Sequence, residues 1–128
     1  MPEACSYQRK NGTCPFDERF ARLGDPRAAT RIDSTIRKLA RGLRPDVRPI
    51  GEGVHEARID YGPGYRVYFG LDGVELLVLL LCGDKRTQVE DIAFAKALWT
   101  EYKSRKSPQA TRPEPILKPK EDENGVDT

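Results

Sequence analysis

Between residues 54 and 82 the hydrophobic period of this chain is two, and the connections are too short for anything but hairpins. Val54 to Asp60 and Tyr65 to Leu71 read as strands joined by "YGPG", a hairpin loop. Asp72-Gly73 turns the chain again, into Val74 to Cys82. Three strands linked this tightly form an antiparallel meander. The third is apolar at nearly every position, so both its faces should be covered, as in an interior strand.

The flanking segments have the helical period. Pro15 can open a short helix carrying Phe16, Phe20 and Leu23, with Gly24 as its stop. Asp25-Pro26 is a cap followed by a first-turn proline. Ala29, Ile32, Ile36, Leu39 and Leu43 then recur at steps of three and four until Gly42 interrupts. The two helices make a hairpin. "RPDVRPIGEG" reads as a loop on its two prolines and two glycines. Thr87 and Glu90 have capping-box spacing. The helix they open carries Val89, Ile92, Ala95, Leu98, Trp99 and Tyr102 and should dock on the sheet. Ala4 to Arg9 is a short strand candidate.

The predicted class is α+β, with helices on one face of an antiparallel sheet, four-stranded if the first strand joins. The domain spans 1–103. Residues 104–128 hold four of the ten prolines and few large apolar side chains, and are expected to be a disordered tail. Residues 107–128 carry three Lys/Arg and five Asp/Glu, which leaves 19 basic against 15 acidic groups in the preceding 106. A mildly basic body permits a nucleic-acid or acidic-protein partner without demanding one.

With no apolar leader and no run long enough to span a bilayer, a cytoplasmic, membrane-free protein is expected. Three cysteines (Cys5, Cys14, Cys82), no Cys-x-x-Cys and one histidine argue against a metal site, and no cofactor is implied. The cysteines are expected to be small core residues. Asp84, Glu90 and Asp91 straddle a helix start, where acids suit the dipole without any metal.

Alternation places Arg58 and Arg66 on one sheet face with Glu56, Asp60 and Tyr68. The hairpin loop brings Arg58 opposite Arg66 or Val67. Like charges facing each other across a ladder are unfavourable. Two explanations stand. Glu56 and Asp60 neutralise the arginines in a surface network worth little. Otherwise the arginine forks grip a phosphate or carboxylate, with Tyr68 free to stack on a base. Lys85 and Arg86 add cations at the sheet's edge. His55 falls by parity on the apolar side or at the strand's mouth, although histidine titrates nearest neutrality.

Three stretches, "PF" at 15–16, "IGEGVHEARIDYGPGYRVYFG" at 50–70 and "LLLCGDKRTQVEDIAFAKALWTEYK" at 79–103, resemble the RelE/ParE superfamily of bacterial toxins. Within it they are most similar to the addiction module killer protein (HigB-like) branch. The resemblance runs from about Tyr7 to Lys103. It implies a RelE-like fold and the toxin of a type II toxin–antitoxin pair. The implied partner is a protein antitoxin of helix-turn-helix type, with operator DNA reached only through that antitoxin. RelE-like members cut mRNA on the ribosome. On that likeness Arg66 matches the arginine of the "GYR" strand motif. Arg58 and Lys85 or Arg86 fall near the other RNA-gripping cations. His55 or Tyr68 would be the base. The region after the last cation, "VEDIAF", carries neither Tyr nor His. A ParE-like toxin that binds a protein target such as gyrase without catalysis therefore stands as the alternative. So does a decayed toxin that keeps only antitoxin binding.

Overall fold

The computed structural model describes residues 3–44, 46–106 and 116–119. In chain order the elements are β1 (Glu3–Tyr7), α1 (Pro15–Ala21), α2 (Pro26–Ala40), β2 (Val47–Gly51), β3 (Val54–Ile59), β4 (Tyr65–Asp72), β5 (Leu76–Asp84), α3 (Gln88–Arg105) and β6 (Leu117–Pro119). A single 3-10 turn, Lys85–Thr87, leads into α3. The class is α+β, as expected. The sheet, however, has six strands in the order β2-β3-β4-β5-β1-β6 and is mixed, because β1 runs parallel to β5.

Two further strands lie where none was expected. The segment read as a loop contains β2, antiparallel to β3 with a register shift between Pro49 and Gly51. Proline is tolerated there because β2 is an edge strand. The glycines serve the turn that follows, where Gly51, Glu52 and Gly53 all have positive φ. Beyond the helices, β6 pairs antiparallel with β1, and Ile116 is buried in the core beside it. Within the expected tail, Leu117–Pro119 thus lies on the sheet. α3 runs on through Arg105, and most of the remaining tail lies outside the described residues.

The helices do not share a face, which corrects the one-sided arrangement. α1 and α2 cover one side through Phe16, Ala28, Ile32, Ile36 and Leu39, packed on Ala57, Val67, Phe69, Leu77 and Leu79. α3 covers the other through Ala95, Leu98, Trp99 and Tyr102, packed on Val54, Tyr68, Val78, Leu80 and Leu81. The uninterrupted apolar run of β5 follows from this, since it has a helix on each side. Leu80 and Leu81 both face α3 because the register shifts opposite Tyr68 and Phe69.

Helix termini follow local chemistry. Asp25 caps α2 by accepting from the backbone N–H of Arg27 and Ala28, with Pro26 in the first turn. Thr87 departs from the capping box: its hydroxyl makes no cap bond and donates to Asp91 at 2.7 Å. Trp99 lies flat over Gly70, where any Cβ would come 2.5 Å from the ring. That close approach is what requires glycine mid-strand.

Candidate functional site

The two arginines that motivated the site face each other in the ladder, Arg58 opposite Arg66. The expected pairing is met, but their surroundings differ. α3 lies on their face, so Arg66 is only 7% exposed and Tyr68 not at all. Tyr68 cannot stack on a base, and burial pushes its phenol well up, with the nearby Glu56 carboxylate adding to the effect.

The charge conflict is relieved on each side separately: Asp46 stands beside Arg58, and Glu56, fully buried, lies between Arg66 and Arg48. Arg66 Nε lies 3.5 Å from one Glu56 oxygen and Arg48 Nε 3.3 Å from the other. Gln88 Nε2 donates to Glu56 at 2.9 Å, which ties the network to the start of α3. Arg66 also donates to the Gly64 carbonyl at 2.8 Å. Beside Arg58 the partner is Asp46 and not Asp60. Of the two acids expected to neutralise the arginines, Glu56 does so for Arg66, but inside the protein rather than on a wet surface. Desolvated, such a pair depends strongly on both partners being present.

The outer edge of Arg66 reaches a shallow cleft of about 290 Å³ shared with Asp46, Arg58, Asp60, Gly64 and Tyr65. Arg58 is exposed and lies 3.6 Å from Asp46, a loose pair. Lys85 is exposed, and its Cβ lies close to Gly64, which places it at the cleft's rim. It has no ion-pair partner among the described residues. Arg86 turns back onto Asp84 at 2.7 Å, and that contact holds the Asp84 carboxyl below its ordinary range. Of the two cations after β5, Lys85 is therefore the one left for an anion.

His55 is on the other face. Its ring stacks on Phe69 at 5.4 Å, and Nδ1 is buried without a hydrogen-bond partner. Burial, with Arg44 nearby, lowers its pKa. The sheet separates it from Arg58 and Arg66, so it is no base for chemistry in the cleft. As the chain's one histidine it is simple to follow. Its NMR titration midpoint should fall below the usual value near 6.5. A midpoint at or above that value would contradict this burial. The sign is that of a group kept neutral: stability is retained above the unfolded pKa and lost as pH falls toward the folded one.

A second network lies at the start of α3. Arg19 grips Asp91 through two nitrogens, the shorter contact 3.0 Å, and donates to the Cys82 carbonyl at 3.0 Å. Asp91 is buried and also accepts from Thr87, which fixes the turn that carries Lys85. Asp91 at the start of α3 thus serves an ion pair, and no metal-binding cluster occurs among the described residues. The three cysteines are buried and free, and burial raises the Cys82 thiol to about 12.

Sequence reasoning missed Arg48, Gln88 and the Arg19–Asp91 pair. Arg48 was hidden in the supposed loop. Its one signal was that Val47 and Ile50 flank an arginine and a proline, a pattern an edge strand can hold. Arg19 and Asp91 are 72 residues apart, and no local period links them.

These elements define an α+β protein whose six-stranded mixed sheet presents, at the β3–β4 hairpin, a cleft lined by Arg58 and Arg66 with Asp46 and Asp60. The chain belongs to the same family as an uncharacterized protein of Haemophilus influenzae, with which it is 41% identical over 86 residues, 67% of this chain and 87% of that protein. No family model matches the sequence, and no solved structure matches the chain. No helix among the described residues is long and apolar enough to cross a membrane.

Proposed function

We propose that this chain is the toxin of a RelE/ParE-type toxin–antitoxin pair, acting in the cytoplasm on mRNA held by the ribosome. The observation that carries the reading is Arg66: a nearly buried guanidinium, oriented by Glu56 and Gly64, at the wall of a cleft it shares with Arg58. An oriented fork in a low-dielectric wall suits charge developing on a phosphate. In cleavage, a ribose 2′-hydroxyl gives its proton to water and attacks the adjacent phosphorus, and the 5′-oxygen leaves with a proton from water, which yields a 2′,3′-cyclic phosphate and a 5′-hydroxyl. Arg66 and Arg58 stabilise the phosphorane oxygens, and Lys85 holds a flanking phosphate. The antitoxin is a helix-turn-helix protein from a neighbouring reading frame, and operator DNA is met only through it.

One observation favours a second reading, in which the chain blocks a protein target such as gyrase without catalysis. His55 and the Tyr68 hydroxyl both lie away from the cleft. Inducing the chain in cells and mapping mRNA 5′ ends separates the two. New codon-linked cuts support the nuclease; growth arrest without them supports the binder. No arrest at all would leave a chain that only binds its antitoxin. Arg58→Ala is the clean variant, because Arg58 is 42% exposed and loosely paired. It should abolish most toxicity while stability changes by no more than about 0.5 kcal/mol. Full toxicity in this variant would overturn the cleft's role.

A further inference from the structure

A larger groove adjoins the cleft. It has a volume of about 710 Å³ and runs between α2 and the end of β3, sharing Arg58, Ile59 and Asp60 with the cleft. Arg27, Arg31, Ser34 and Lys38 line it from the helix. Their spacing of four, three and four residues puts them on one helical face, over about 16 Å. All four are exposed. Arg27, Arg31 and Lys38 have no ion-pair partner among the described residues. Arg31 is braced by the Tyr61 ring, 4.5 Å below its guanidinium. Among the described residues, Asp60 is the only acid lining the groove.

We infer that this groove is a track for the phosphate backbone of single-stranded RNA, continuous with the Arg58–Arg66 cleft. The inference deepens the function proposed above and rests on that reading for its biological sense. Charge complementarity selects a polyanion, and a row of cations rather than one point selects an extended one. An acidic protein segment is disfavoured because, among the described residues, the lining holds two apolar side chains, Pro26 and Ile59, and no aromatic one. Protein interfaces are anchored by an apolar, often aromatic centre, whereas a phosphate backbone needs none.

The test is fluorescence anisotropy with a 12-nucleotide 2′-O-methyl RNA, which cannot be consumed by cleavage. Arg27→Glu/Lys38→Glu should weaken binding at least tenfold at low salt. It should also flatten the slope of log K against log salt by about 1.4, at ~0.7 per lost phosphate contact. The charge-matched control is Lys10→Glu/Lys103→Glu, both exposed cations away from the groove. It should bind within twofold of the parent. Equal loss in both variants would reduce the effect to net charge and overturn the groove, as would no loss in either. Competition by oligoglutamate as strong as by RNA of equal charge would assign the groove to an acidic protein, which also overturns the inference. Failure of the proposed function is read separately. Absent cuts in cells with groove-dependent RNA binding intact would leave the groove standing. Codon-linked cuts with no groove dependence would remove the groove alone.

Discussion

Glu56→Ala should cost this protein about 3–5 kcal/mol, the range for removing one partner of a buried ion pair. The carboxylate is fully buried, and Arg66, its most buried partner, has little access to water. Without Glu56 the Arg66 guanidinium faces Tyr68 and the α3 core uncompensated, and Gln88 loses its acceptor. Domains of this size are stable by about 5–15 kcal/mol. The loss should therefore lower Tm by roughly 12–40 °C, at about 4–8 °C per kcal/mol for a domain near 100 residues. Denaturant unfolding with an unchanged m-value would measure it. A loss below about 1 kcal/mol would mean that water reaches Arg66 freely. The same variant should lose function more completely than Arg58→Ala, because Glu56 orients the cation that Arg58 only accompanies.

Gly83→Ala is the other large effect. A Cβ at Gly83 would overlap the Asp91 carboxylate and stand 3.2 Å from Arg19 Nη1. The carboxylate cannot swing aside, since Arg19 and Thr87 hold it from two directions. Overpacking typically costs about 1–3 kcal/mol. Breaking the pair adds to that, so about 3 kcal/mol or more is expected. The cause is testable by a double-mutant cycle with Asp91→Ala. If the steric conflict is with Asp91, Gly83→Ala should cost far less in the Asp91→Ala background than alone. Strict additivity would place the strain elsewhere. Gly73→Ala is a useful contrast. Its Cβ would meet nothing within 4 Å, and only the positive φ of 67° resists it, a cost of about 1 kcal/mol.

How much of this was legible beforehand depended on distance along the chain. The hairpin that opposes Arg58 and Arg66 was readable because alternation and a four-residue turn fix register locally. α2 was readable from its stripe and its Asp25-Pro26 start, although Ala28 rather than Ala29 is buried and Leu43 stays exposed. β5 was placed two residues early, because Val74 is apolar yet 83% exposed in the turn. The two-sided arrangement was also implicit. A strand apolar on both faces needs a second cover, and α3 was the element left to supply it. The burial of Glu56 and the pairing of Asp91 were beyond local pattern, because the first depends on α3 closing over the sheet and the second on a cation 72 residues away. His55 and Tyr68 show the converse. Parity gave their faces correctly, but only packing decided that neither side chain reaches the cleft.

The two ends of the sheet have a consequence for how this protein meets others. β1 would be a bare margin if the chain ended after α3, yet Leu117–Pro119 lies along it. That cover is three residues long and finishes in proline. At the opposite margin, β2 carries Pro49 and an irregular register before Gly51. Each rim thus has a residue that cannot donate a backbone hydrogen bond outward, and neither offers a long, straight ladder. A second copy or a stray unfolded chain finds no template there for adding a strand. Another protein that docked by strand addition at β1 would first have to lift Ile116 out of its place beside Tyr7. Access to that margin is therefore set by how firmly a few residues beyond the last helix hold on.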